Sequence, residues 1–106
     1  MNVPLIKSTE GLISRKLLKE YTKQGLVLVN TSRAGLVDEQ NILDAIEEGT
    51  MSGYLTDVLD SEPMVNSCLL KNKQGVLITP HIGSRTTETI QRQGSLAVNN
   101  LISMTC

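Results

Sequence analysis

The chain has no phenylalanine and no tryptophan, and only two tyrosines, Tyr21 and Tyr54, so any core it forms is aliphatic. Its two cysteines, Cys68 and Cys106, stand far apart in no C-x-x-C arrangement and are read as plain thiols. With a single histidine in 106 residues, a structural zinc site lacks ligands, and no metal is expected. Charge of neither sign dominates, since ten Lys and Arg face eleven Asp and Glu. The basic residues form no stripe, which argues against nucleic acid and anionic membrane as partners. No apolar run approaches the roughly eighteen residues of a spanning helix, and the start of the chain lacks the regions of a signal peptide. A cytoplasmic protein is the expectation.

What is present is an alternation of helix and strand, in a length that suits one domain or part of one. Ser14 can cap a short helix with Leu17, Leu18 and Tyr21 on one side, ending near Gly25. The continuous apolar run "LVLV", residues 26–29, reads as a strand buried on both faces. Asp38 suits the N-cap of a second helix whose stripe is Ile42, Ala45 and Ile46, with Gly49 as its stop. "GYLTDVL", residues 53–59, is a second strand, again suited to burial, and "VLITP", residues 76–80, a third that ends at its proline. A long amphipathic helix follows, beginning between Ser84 and Thr87 and running to about Ser103. Its stripe holds Ile90, Ala97, Val98, Leu101 and Ile102, with Gly94 as a close-packing position.

Strands separated by helices imply right-handed crossovers and a parallel sheet. The expected fold is α/β, a partial Rossmann-like doubly wound parallel sheet with helices on both faces. It is expected to be partial because three strands are few, "MNVPLIKSTEGL" reads as a strand end and loop, and no G-x-G-x-x-G occurs.

Ligands of open parallel sheets bind beyond the carboxyl ends of the strands. Arg33 follows the first strand, Asp57 and Glu62 the second, and His81 the third. Singly, each has an ordinary explanation as a solvated, loop or capping residue; only their joint placement suggests a site. The chemistry of the set is definite. An imidazole suits general acid–base work near neutrality, and a carboxylate beside it fixes its tautomer. A guanidinium offers a planar fork to a substrate carboxylate and can polarise a neighbouring carbonyl. Together they match reduction of a 2-keto acid, or oxidation of a 2-hydroxy acid, with a hydride carrier as the missing ingredient.

Four ordered blocks, "VPLIKSTEGLIS", "VNTSRAGLVDEQNILDAIEEG", "DVLDSEP" and "ITPHIGSRT", resemble segments of the D-isomer-specific 2-hydroxyacid dehydrogenases. "VPLIKSTEGLIS" is similar to the family's P-L-x-x-x-T-x-G-L-I segment, and "VNTSRAGLVDEQNILDAIEEG" to its N-x-x-R-G-x-[LIV]-V-D-E block. "DVLDSEP" resembles D-V-x-x-x-E-P, and "ITPHIGSRT" resembles T-P-H-[IL]-G-G-x-T. The resemblance implies an NAD-dependent oxidoreductase acting on D-2-hydroxy acids, with NADP left open as the cofactor. It implies that Arg33 binds the substrate carboxylate, that His81 is the acid–base, and that Glu62 hydrogen-bonds His81. Asp57 would anchor the nicotinamide carboxamide. Val3 and Pro4 would line the adenosine-ribose side, while Thr31, Ser32, Gly83 and Ser84 approach the nicotinamide largely through backbone groups beside Arg33 and His81. Ala34 and Ser84 replace two glycines that the family prefers, without removing a reacting group.

By this resemblance residues 1–106 correspond to the second, C-terminal half of the NAD-binding domain, with the glycine-rich first half and the substrate domain absent. Such a chain is expected to be inactive alone and to bind NAD weakly, the glycine-rich pyrophosphate site being missing. The expected partner is a small 2-hydroxy or 2-keto acid. A homo-oligomer, or association through an exposed sheet edge, is a further expectation. Two other readings stay open: a corepressor-type interaction module built on the NAD fold, and a non-functional remnant of the family.

Overall fold

The computed structural model describes every residue except Thr22 and Cys106, together with the side chain of Tyr21. The expected Cys106 thiol and the place of Tyr21 in the first helical stripe therefore lie outside the described residues. Along the chain run α1 (Arg15–Tyr21), β1 (Leu26–Asn30), a single 3-10 turn (Ala34–Leu36), α2 (Glu39–Glu47), β2 (Met51–Thr56), β3 (Val76–Ile78) and α3 (Thr87–Thr105). The strands form one parallel sheet in the order β1-β2-β3, with Leu28 opposite Tyr54 and Tyr54 opposite Val76.

Both short helices start where their caps lie. The Ser14 hydroxyl accepts from the Leu17 N–H at 3.3 Å, and Asp38 accepts from the Gln40 and Asn41 N–H groups at 2.9 and 3.1 Å. Each satisfies donors that a helix N-terminus leaves open. Gly49, at φ 72°, stops α2 in a conformation that glycine adopts without a Cβ clash. The α2 stripe buries Ile42, Leu43 and Ala45 against Leu18 of α1 and Met51 and Tyr54 of β2. Full burial of Ile42 alone is worth about 1.5–3 kcal/mol. Arg15 pairs with Asp44 at 3.1 Å and with Glu48, and Lys19 reaches Glu48 at 3.3 Å, so α1 and α2 are also joined at the surface.

The first strand is not buried on both faces. Leu26 and Leu28 pack on the core, but Val27 and Val29 on the other side are 49% and 44% exposed. Pairing register puts Val27, Val29, Leu55 and Leu77 on one face. The core residues of α1 and α2 cover the opposite face, and among the described residues nothing seals this one. The continuous apolar run thus masks an alternation of inward and outward side chains.

The second strand is displaced from residues 53–59 to Met51–Thr56. It ends where the Thr56 hydroxyl donates to the Val58 carbonyl at 2.8 Å and accepts the Val58 N–H at 3.2 Å, a local turn that competes with the ladder. β3 stops at Ile78, ahead of Pro80. The long helix forms as expected, with the Thr86 hydroxyl accepting from the Thr89 N–H at 3.2 Å at its start. Its apolar stripe buries nothing, however. Gly94 is not a close-packing position, since no heavy atom beyond its own helix lies within 4 Å of where a Cβ would stand. With this helix included, the longest extent of the chain is 58 Å.

Candidate active site

The first loop is shaped by Asn30, the last residue of β1 and fully buried. Its Oδ1 accepts the Ser32 N–H at 3.1 Å, an Asx turn, while its Nδ2 donates to the Arg33 carbonyl at 2.9 Å and to the Tyr54 hydroxyl at 3.3 Å. Ser32, itself buried, donates its hydroxyl to the Val3 carbonyl. Arg33 then emerges exposed, with Nη1 donating to the Ser32 carbonyl at 2.7 Å and the rest of the fork open to a ligand.

Asp57 follows β2 and is 7% exposed. Its Oδ1 accepts the Thr79 hydroxyl at 2.5 Å and the Ile82 N–H at 2.9 Å, and its Oδ2 accepts the Gly83 N–H at 2.7 Å. Burial works to raise this carboxyl, but the hydrogen bonds from Thr79, Ile82 and Gly83, aided by nearby His81, outweigh it. The net position of Asp57 is below the ordinary aspartate range.

His81 follows β3 with φ 53°, in the left-handed region, and its N–H donates back to the Thr79 carbonyl at 3.0 Å across Pro80. Its Nδ1 lies 2.6 Å from Glu62 Oε2, and Glu62 Oε1 accepts the Leu59 N–H at 2.9 Å. The Leu59 N–H first, and the His81 ring second, hold the Glu62 carboxyl below its ordinary range despite partial desolvation and the charge of Asp57. An ionised Glu62 has no proton to give, so Nδ1 is the donor and Nε2 remains to take up or release a proton.

A cleft of about 500 Å³ brings together Thr31, Arg33, Asp57, His81, Gly83 and Ser84. Glu62 stands behind the histidine ring rather than in this cleft, and lines an adjoining cavity of about 450 Å³ shared with His81, Met64 and Arg85. Val3, Pro4 and Ser32 do not line the cleft; Val3 is tied to it through Ser32, and the Pro4 carbonyl accepts the Thr9 hydroxyl at 2.6 Å. The sequence reading missed Asn30, Tyr54 and Thr79 as supports of the site. An asparagine closing an apolar strand two residues before a serine is the signal that could have revealed the first.

Three parallel strands with flanking helices, ending on a polar cleft beyond their carboxyl ends, define a Rossmann-like dinucleotide-binding fold. The chain belongs to the D-isomer specific 2-hydroxyacid dehydrogenase family, matching its NAD binding domain over residues 1–83. It is 40% identical over 103 residues to a glyoxylate reductase of Thermococcus litoralis, covering 97% of this chain and 30% of that protein. Over 88 residues it is 38% identical to the D-3-phosphoglycerate dehydrogenase of Bacillus subtilis, covering 83% of this chain and 16% of the relative. Among solved structures it resembles the NAD-complexed D-isomer specific 2-hydroxyacid dehydrogenase of Lactobacillus delbrueckii ssp. bulgaricus, with a TM-score of 0.81 and 26% identity over 98% of this chain and 35% of that one. It also resembles a glyoxylate reductase of Paecilomyes thermophila, with a TM-score of 0.80 and 38% identity over 96% of this chain and 30% of the other. The chain thus spans under a third of the length of the glyoxylate reductases that it matches, 30% in two of them.

Among the described residues no group of His, Cys, Asp and Glu is placed to hold a metal ion, and no helix is long and apolar enough to cross a membrane.

Proposed function

We propose that these residues form the reacting half of a site for the reversible reduction of a 2-keto acid to a D-2-hydroxy acid. Arg33 holds the substrate carboxylate with its free fork and polarises the keto group. His81 gives the proton to the substrate oxygen during reduction and takes it back during oxidation, through Nε2. Glu62 fixes the ring by its bond to Nδ1 and balances the charge that the imidazole acquires. The observation that carries this reading is the His81–Glu62 pair at 2.6 Å, with His81 bordering the same cleft as Arg33.

The residues present fit the nicotinamide end of a dinucleotide. An ionised carboxylate accepts about four hydrogen bonds. Asp57 uses three within the protein, leaving an acceptor for a carboxamide N–H. Beside it, Val29, Leu55 and Leu77 provide an apolar surface for a flat ring. Thr31, Gly83 and Ser84 would approach that ring, and Val3 and Pro4 would flank the adenosine ribose. NAD(H), when bound, supplies or accepts the hydride. The 106 residues include no G-x-G-x-x-G, so we assign them to the second half of the domain. By themselves they should hold NAD weakly and turn over negligibly.

The test is a chimera in which this chain replaces the matching 103-residue stretch of the Thermococcus litoralis relative. Reduction of glyoxylate or another 2-keto acid with NADH or NADPH, lost on His81→Ala, supports the reading. A folded chimera that reduces none of them refutes it.

A further inference from the structure

The turn that carries His81 is held by a residue that does not touch its ring. His81 occupies a left-handed conformation, which non-glycine residues adopt only when their surroundings impose it. On either side of it, Thr79 offers its hydroxyl and Ile82 and Gly83 offer their N–H groups, and all three converge on the carboxylate of Asp57 at 2.5–2.9 Å. The fit is close: a Cβ on Gly83 would stand 2.9 Å from Asp57 Oδ2. Glu62 meanwhile takes the ring at Nδ1. Two carboxylates from one β2–β3 connection therefore divide the work, one gripping the backbone of the turn and the other the imidazole.

We propose that Asp57 is a positioning residue for His81, bridging the turn on both sides of the histidine so that its ring meets Glu62. This role is additional to any contact of Asp57 with nicotinamide, and its link to catalysis rests on the acid–base role given to His81. Removing the bridge frees the backbone at residue 81 to leave the left-handed region, and the ring then loses its fixed distance to Glu62. Thr79 shares the task, because its hydroxyl occupies the same carboxylate oxygen as the Ile82 N–H.

His81 is the single histidine of the chain, so ring-nitrogen signals of the 15N-labelled 106-residue protein in dilute solution report on it alone. The parent should show one tautomer with the proton on Nδ1. Asp57→Asn and Thr79→Val should each shift the Ile82 and Gly83 amide resonances and mix the ring tautomers. Ring signals unchanged in both variants would overturn the proposal, even if the amides moved. Should Asp57→Asn not fold, Thr79→Val, which leaves the carboxylate in place, decides alone. In the chimera, Thr79→Val should lower kcat about tenfold with little change in the KM for NADH, a partial loss of acid–base catalysis. The ring spectrum requires no turnover, so an inactive chimera with responsive ring signals would refute the enzymatic reading and leave the positioning role standing.

Discussion

Glu62 Oε2 and His81 Nδ1 meet at 2.6 Å across nineteen residues of chain, and the other oxygen of the same carboxylate accepts the Leu59 N–H. The second bond matters as much as the first. It anchors the carboxylate to its own loop, so that the histidine meets a fixed acceptor rather than a mobile surface side chain.

The pH dependence of this arrangement follows from its carboxylates. Asp57 and Glu62 both lie below their ordinary ranges. A carboxyl lowered on folding contributes stability above its unfolded value, near pH 4, and loses it as pH falls through the folded value. Thermal unfolding followed from pH 7 to pH 2 should therefore show a loss beginning near pH 4–5. Glu62→Gln and Asp57→Asn should each flatten that acid limb. Parallel limbs in parent and variants would show that neither group is linked to folding. In the chimera, Glu62→Gln should also displace a limb of the rate profile, and an unchanged profile would remove Glu62 from the mechanism.

Arg33 separates binding from folding. Its guanidinium is exposed and bonds only to the adjacent Ser32 carbonyl among the described contacts, so Arg33→Ala should change stability by no more than about 0.5 kcal/mol. A charge-assisted hydrogen bond contributes about 1.5–3 kcal/mol, and the planar fork makes two. In the chimera kcat/KM should fall by about a hundredfold or more, and Arg33→Lys should recover little, since a point charge cannot reproduce the fork. Full recovery by lysine would reduce Arg33 to a source of positive charge.

Much of this was legible in the chain itself. Ser14 and Asp38 act where a cap was expected, because N-capping depends on only a few neighbouring residues. Arg33, Asp57 and His81 come to one cleft because a parallel sheet places the residues after each strand on the same edge. What escaped reading depends on three-dimensional context. The run "LVLV" is apolar on both faces, and nothing local reveals that Val27 and Val29 stay open. Glu62 was expected beside the histidine, but the dependence of the turn on Thr79 and Asp57 joins residues 22 apart in the chain.

Asn30 should matter to stability out of proportion to its size. Fully buried, it satisfies the Ser32 N–H, the Arg33 carbonyl and the Tyr54 hydroxyl at once. Asn30→Ala leaves these groups without that partner, and a buried group so stranded costs about 1–3 kcal/mol. Chemical denaturation should show a loss of at least that size, with Asn30→Asp keeping an acceptor for the Ser32 N–H but losing the donor to the Arg33 carbonyl. A variant within about 0.5 kcal/mol of the parent would mean that water replaces the side chain without penalty.

The open face of the sheet carries Val27, Val29 and Leu77, the last 57% exposed, and β1 and β3 are both edges. Exposed apolar edges promote pairing between copies. Light scattering on the 106-residue chain should give a mass that rises with concentration, and Val29→Lys with Leu77→Lys should suppress the rise. A constant monomer mass at high concentration would rule out association through this face.

Gly83 offers the sharpest test of how closely the histidine turn is built. Its φ is not in the left-handed region, so the backbone alone does not demand glycine; the constraint is the 2.9 Å separation between a Cβ and Asp57 Oδ2. Gly83→Ala must push the carboxylate away or move the turn, and either disturbs the bonds to Ile82 and Gly83. The variant should be destabilised by about 1–3 kcal/mol, the range for overpacking a tight site. With Asp57→Ala the obstructing oxygen is gone, and the added methyl should then cost much less. The two changes should therefore be non-additive by about 0.5–3 kcal/mol in a double-mutant cycle. Simple additivity would show that alanine at position 83 is resisted by something other than Asp57.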